Sequence, residues 1–324
     1  MSKNIIIVAG EPYSVFLELL FKSIKLKKIK KPYVLICSEK LLISQMKKLN
    51  YNFKINSINK NEIENAKILK NYINVLDIKF EFKKPFDRIT YSSSKYIKDC
   101  FVEALKLIKM GKSNVLINGP ISKRHFLKKK FLGITEYIAK KSNKKGHEVM
   151  LIYNKKLSVS PVTTHLALQD VKKNISTKKI IQNVLTINSF FKKKLKRKPI
   201  FAITGLNPHC ETNKKISEEK KIIIPAINKL KKKNININGP FPADTLFLKN
   251  NIKKFNIVIG MYHDQVLTPI KTLHEFNAIN VSLGLPFLRM TPDHGPNNSM
   301  LGKNKSNPTS LIEVFKFLNQ IRGN

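Results

Sequence analysis

The chain has 324 residues, 42% apolar and 9% aromatic, enough for one large core or two ordinary ones. Its three cysteines, Cys37, Cys100 and Cys210, are scattered without CxxC spacing, which excludes a disulfide framework and a cysteine zinc finger. The net charge of +40 comes from 61 basic residues against 21 acidic, but only five are arginine: Arg88, Arg124, Arg197, Arg289 and Arg322.

Sequence-reading DNA proteins lean on bidentate arginine, and single-strand binders on basic patches interleaved with aromatics. Here lysine is spread along the chain, in KLKKIKK, KKKF, KKKLKRK and KLKKK. The charge therefore reads as a lysine-biased composition whose surface favours anionic substrates such as phosphates. The opening MSKNIIIVAGEP holds an apolar run too short for a signal peptide, and no stretch reaches the length needed to cross a membrane. The expectation is a cytoplasmic protein with neither nucleic acid nor membrane as partner.

Apolar bursts recur along the chain as expected buried strands: NIIIVAG (4–10), YVLICS (33–38), NVLING (114–119), EVMLIY (148–153), PIFAITG (199–205), FNIVIG (255–260) and INVSLG (279–284). Helical patterns lie between several of them. Residues 94–109 place Ile97, Phe101, Leu105 and Ile108 at spacings of three and four, and 177–194 and 217–230 behave similarly. Ser217 with Glu218 and Glu219 reads as a capped helix start. Strands alternating with helices predict an α/β fold on a largely parallel or mixed sheet. No composition break marks a linker.

In open α/β sheets, ligands sit beyond the carboxyl ends of strands. Polar and glycine-containing stretches follow these strands: GPISK (119–123), LNPHCE (206–211), MYHDQ (261–265) and LPFLRM (285–290). Three of the seven histidines, His165, His209 and His263, follow strand-like segments. One imidazole from each of three distant loops is a candidate divalent metal site, with Asp264 and Asp244 as neighbouring carboxylates; each histidine taken alone reads first as an ordinary loop residue. Lys271, Arg289 and Asn280 are candidates for a phosphate or carboxylate. Neither GxGxxG after the first strand nor GxxxxGK[ST] anywhere is present.

Taken together, NGPISK (118–123), GITEYIA (133–139), SVSPVTTHLAL (158–168), TGLNPHCE (204–211), GPFPADTLF (239–247), MYHDQ (261–265) with Lys271, and NVSLGLPFLRMTPDHG (280–295) resemble the 4-hydroxythreonine-4-phosphate dehydrogenases of vitamin B6 biosynthesis. The segments run in family order over nearly the whole chain. The resemblance implies two α/β domains with a cleft between them, similar to isocitrate and isopropylmalate dehydrogenases. It gives a discontinuous first domain of residues 1–127 and 275–324, and a second of residues 128–274 carrying much of the metal site and the dimer contacts.

The resemblance further implies one divalent metal (zinc, magnesium or cobalt) on His165, His209 and His263. It implies substrate contacts at Thr135, Lys271, Asn280 and Arg289, NAD or NADP as cofactor, and a homodimer with shared sites. The implied reaction oxidises 4-phosphooxy-L-threonine; the β-keto acid then loses carbon dioxide to give 3-amino-2-oxopropyl phosphate. A basic group must take the hydroxyl proton, and Asp244, Asp264 and Lys271 all stand as catalytic candidates.

The sequence departs from the family pattern in three places. Ile134 occupies the position of a family histidine that helps hold the substrate. GEPYSVFLE (10–18) replaces a glycine-rich segment, with Glu11 for aspartate, Ser14 and Phe16 for glycines, and Glu18 kept. NKK (213–215) stands where the family is glycine-rich. Ile134 leaves open a sister dehydrogenase acting on 4-phosphothreonate or 4-phosphoerythronate. A basic nucleic-acid-binding protein without catalysis would predict decay of the histidine triad, and the triad is intact.

Overall fold

The computed structural model describes residues 4–61, 63, 66–127, 131, 133–211, 217–275, 277–292 and 295–321. The lysine-rich 213–215, Asp293 and His294 of the PDHG stretch, and Arg322 lie outside the described residues. Two compact units divide the chain, residues 1–143 with 285–322 and residues 144–284. The changes of unit thus fall at 143/144 and 284/285, against the expected 127/128 and 274/275.

The first unit holds β1 (Ile5–Val8), β2 (Tyr33–Cys37), β3 (Ile55–Ile58), β4 (Ile73–Asp77), β5 (Val115–Asn118) and, after the chain returns, β12 (Leu288–Pro292). Their order is β3-β4-β2-β1-β5-β12, and every pair is parallel. Strands covered on both faces need no polar alternation, so IIIV and YVLIC are buried at every position. Helix Ser93–Lys109 turns Ile97, Cys100, Phe101 and Ala104 into the core, while Leu105 and Ile108 are only partly covered. The buried stripe is thus centred slightly off the predicted one, on a face that includes the small Cys100 and Ala104.

The departures of the N-terminal segment acquire structural roles. Gly10 has φ +82°, and a Cβ there would lie 2.5 Å from the Pro120 carbonyl oxygen, so the GEP turn packs backbone to backbone on the GPISK loop. Phe16 is fully buried and opens helix Phe16–Lys25. Glu18 accepts from the Ser306 N–H at 2.7 Å and from Lys22 Nζ at 2.8 Å, and Lys22 also reaches the Ser306 carbonyl at 2.7 Å. The kept glutamate therefore pins the returning C-terminal segment.

The second unit holds β6 (Val149–Tyr153), β7 (Ser158–Pro161), β8 (Phe201–Thr204), β9 (Ile237–Phe241), β10 (Ile257–Gly260) and β11 (Ile279–Leu283), in the order β11-β6-β7-β10-β8-β9. β6 is antiparallel to both neighbours, and the remaining pairs are parallel. Ile152, Val159, Ala202, Val258, Val266 and Ile270 are among the residues of its core. Ser217 caps the following helical segment as predicted, accepting from the Lys220 N–H at 3.3 Å. Among the described residues no helix is long and apolar enough to cross a membrane.

Candidate active site

The ends of β7 and β10 build the centre of the second unit's site. The ladder continues past both strands: Val162 N–H donates to the Gly260 carbonyl at 2.8 Å, and the Thr163 hydroxyl to the Met261 carbonyl at 2.7 Å. This registration carries His165 and His263 forward side by side, and their ring centroids are 5.8 Å apart. His263 is the first residue of helix His263–His274, and both rings are half-buried. The helix begins immediately beyond β10 because Gly260 lacks a side chain; a Cβ there would lie 2.4 Å from Val266 Cγ1.

His263 Nδ1 lies 2.6 Å from Asp264 Oδ1. A carboxylate at that nitrogen selects the tautomer with its proton on Nδ1 and leaves Nε2 as a lone-pair donor. Asp264 is otherwise exposed and sits in the first helical turn, where the helix dipole favours a negative charge.

His209 stands in the turn after β8, exposed and in the left-handed region at φ +54°. A non-glycine residue there is strained and needs surrounding support. Glu219, 2% exposed, supplies it: one of its oxygens accepts from the N–H groups of Leu206 and Asn207 at 2.9 and 3.0 Å. Burial raises the Glu219 pKa, but the Asn207 and Leu206 donors outweigh it and the net shift is downward. Glu218 accepts from Lys172 and from the Asn207 amide, and Lys172 leads in lowering its pKa to about 2.

The fit to a metal is partial. Imidazoles with adjacent carboxylates are the donor chemistry of a divalent transition metal, and the structure brings two of the three predicted ligands together. Among the described residues no set of three or more His, Cys, Asp or Glu is gathered in a geometry able to hold an ion.

The other predicted residues of this unit are dispersed. Asp244 is exposed in the short helix Ala243–Leu246; after burial, the Asp244 charge is among the causes that raise the Cys210 thiol pKa, which puts it on the His209 side. Lys271 does not stand at a strand end as expected. It lies in the last turn of helix His263–His274, about 12 Å along the axis from His263 at 1.5 Å per residue. Asn280 sits within β11 opposite Ile152, and its Oδ1 is buried with no hydrogen bond among the described residues.

In the first unit, Arg289 lies within β12 rather than after a strand and is 1% exposed. Its Nε donates to Asn118 Oδ1 at 2.8 Å and its guanidinium to Thr135 Oγ1 at 2.8 Å. Burial lowers its pKa to about 10 while the Glu136 carboxylate opposes the shift, so it remains a cation at neutral pH. Arg289 and Thr135, far apart in sequence, are thus neighbours. Ile134 opens helix Ile134–Lys141 and packs against the unit's hydrophobic core.

Two further residues, Asn118 and Gln265, have roles that only the fold shows. Asn118 was part of a quoted motif, but its role needs the β5–β12 pairing. Gln265 closes the MYHDQ stretch, and only the fold shows what it joins.

Strand-end imidazoles in one α/β unit and a buried guanidinium in the other define the class, an α/β enzyme. The comparisons name the particular family. The sequence matches the family described as "Pyridoxal phosphate biosynthetic protein PdxA" over residues 28–318, and the chain belongs to it. A relative from Sulfurihydrogenibium sp. (strain YO3AOP1), named 4-hydroxythreonine-4-phosphate dehydrogenase, is 38% identical over 316 residues, covering 96% of this chain and 95% of its own. One of the same name from Aquifex aeolicus (strain VF5) is 33% identical and covers 99% of each chain. The crystal structure of a 4-hydroxythreonine-4-phosphate dehydrogenase from Burkholderia phymatum matches with a TM-score of 0.78 at 24% identity over 100% of both chains, a likeness of fold.

Proposed function

We propose that the protein is a 4-hydroxythreonine-4-phosphate dehydrogenase, oxidising 4-phosphooxy-L-threonine with NAD or NADP. The observation that carries this reading is the near-end-to-end similarity to dehydrogenases of that name. Hydride passes from the substrate's secondary carbinol carbon to the nicotinamide, and the hydroxyl proton to a protein base. The β-keto acid then loses carbon dioxide, leaving 3-amino-2-oxopropyl phosphate.

His165 and His263, with His209 from the neighbouring turn, would hold a divalent cation such as zinc, magnesium or cobalt. When bound, such an ion polarises a substrate oxygen. Asp264 orients the His263 ring, which supports a positioning role for it and leaves Asp244 and Lys271 as the other candidates for the base. Arg289, steadied by Asn118 and Thr135, and Asn280 with its buried acceptor, suit anionic and hydrogen-bonding groups of the substrate. A homodimer completes the reading.

Ile134 favours a second reading. Its side chain lies on the core in place of a polar contact to substrate, which suits a phosphorylated hydroxy acid lacking the amino group, such as 4-phosphoerythronate or 4-phosphothreonate. Steady-state rates with the three substrates separate the two: the first reading expects the highest kcat/KM with 4-phosphooxy-L-threonine.

A further inference from the structure

We infer that Gln265 is a positioning residue that locks the turn carrying His209 to the helix start carrying His263. Its side chain is used at both ends. Oε1 accepts from the Met261 N–H at 2.7 Å and from the Thr204 hydroxyl at 2.8 Å. Nε2 donates to the Gly205 carbonyl at 2.8 Å. Thr204 ends β8 and Gly205 begins the turn that leads to His209; Met261 links β10 to His263. One amide therefore fixes the exits of two parallel strands against each other.

The chemistry requires an amide. Only Asn and Gln carry an acceptor and a donor on one rigid plane. A carboxylate of the same size keeps the acceptor but meets the Gly205 carbonyl with a second acceptor, and a hydrocarbon loses all three bonds. Gly205 has no room to adjust: a Cβ there would lie 2.7 Å from Cys210 Sγ and 3.2 Å from Glu219 Oε1. The turn is thus held from one side by Glu219 and from the other by Gln265. A backbone displacement there moves the strained His209 without unfolding the unit, whose core lies in Val258, Val266 and Ile270.

This inference rests on the proposed site for its catalytic consequence, and its test has a readout that does not. In the full-length protein labelled at histidine, the ring C–H signals of His209 and His263 are compared among wild type, Gln265→Glu, Gln265→Leu and Thr204→Val. The expected result is a shift of both signals in Gln265→Glu and Gln265→Leu, a smaller one in Thr204→Val, and no change at His125 in the first unit. Unchanged His209 and His263 signals in a folded Gln265→Leu would overturn it. If Gln265→Leu does not fold, the near-isosteric Gln265→Glu decides on the same criterion.

With 4-phosphooxy-L-threonine as substrate, kcat is expected to fall about 10- to 100-fold with a smaller change in KM, the effect of a misplaced supporting shell. A loss confined to KM would contradict a positioning role. A wild-type enzyme silent with this substrate would count against the proposed function, while the histidine signals would still decide the role of Gln265.

Discussion

Arg289 and Asn118 are bonded Nε to Oδ1 at 2.8 Å inside the first unit, where Arg289 is almost wholly excluded from solvent. The Asn118 amide is spent on the Gly119 carbonyl at 2.7 Å, so the side chain is oriented before it meets the guanidinium. Loss of an acceptor beside a buried cation costs about 1–3 kcal/mol. Asn118→Ala is therefore expected to lose that much in denaturant unfolding and to raise KM for the phosphorylated substrate. Asn118→Asp, which retains the acceptor and adds an opposite charge, should keep most of the stability; equal losses in both variants would show that the bond to Arg289 is not what Asn118 supplies.

Glu11 gives the fold a pH dependence. Burial raises its pKa from 4.5 to about 7, with Ser93 and the Ser122 backbone opposing the shift. A raised carboxyl pKa means that the folded state holds the proton more tightly than the unfolded chain. The stabilisation is complete below the ordinary carboxylate range, falls as the pH rises through about 7, and is then constant. At 1.36 kcal/mol per unit, the loss is up to roughly 3 kcal/mol. Glu11→Gln should flatten this window in urea titrations at a series of pH values and gain stability above neutrality. An unchanged slope would rule out Glu11 as its source.

Gly284 combines two constraints, φ +79° and a position where a Cβ would meet the His147 carbonyl oxygen at 1.9 Å. Both strain and overlap arise on adding one methyl group. Gly284→Ala is expected to lower stability by about 3 kcal/mol, read as a drop in thermal midpoint. A loss below about 0.5 kcal/mol would mean that the backbone at this point yields freely.

His263 is the predicted site residue with the best-defined surroundings, half-buried at a helix start beside His165 and Asp264. His263→Ala removes a ring that is outside the hydrophobic core, so the variant should unfold within about 1 kcal/mol of wild type. It should also lose turnover by several orders of magnitude and bind added zinc or cobalt more weakly. Full activity in the variant would remove the histidine set from the reaction.

What could be read from the sequence follows physical rules that particular elements illustrate. β1, β2, β5, β8 and β10 are buried along their whole length and appear as unbroken apolar runs. β3, with the sequence INSI, β9, INGPF, and β12, LRMTP, carry polar groups or proline that no local pattern assigns to a strand. Helix His263–His274 is masked in the sequence by Pro269 in its interior and by its three-residue polar start. In the fold Tyr262 stands at the N-cap position without a side-chain capping bond, His263 and Asp264 pair, and Gln265 joins two strands. The meeting of strand β12 with helix Ile134–Lys141 at Arg289 and Thr135, and of the β7 and β10 ends at His165 and His263, depends on tertiary packing, which local residue patterns do not encode.

The most direct test of the central claim is the rate of reduced nicotinamide formation by purified protein with NAD or NADP and 4-phosphooxy-L-threonine, with added zinc or magnesium and with a chelator as control. The account predicts turnover that the chelator abolishes and added metal restores. No turnover with 4-phosphooxy-L-threonine under any of these conditions, with turnover of 4-phosphoerythronate or 4-phosphothreonate, would contradict it.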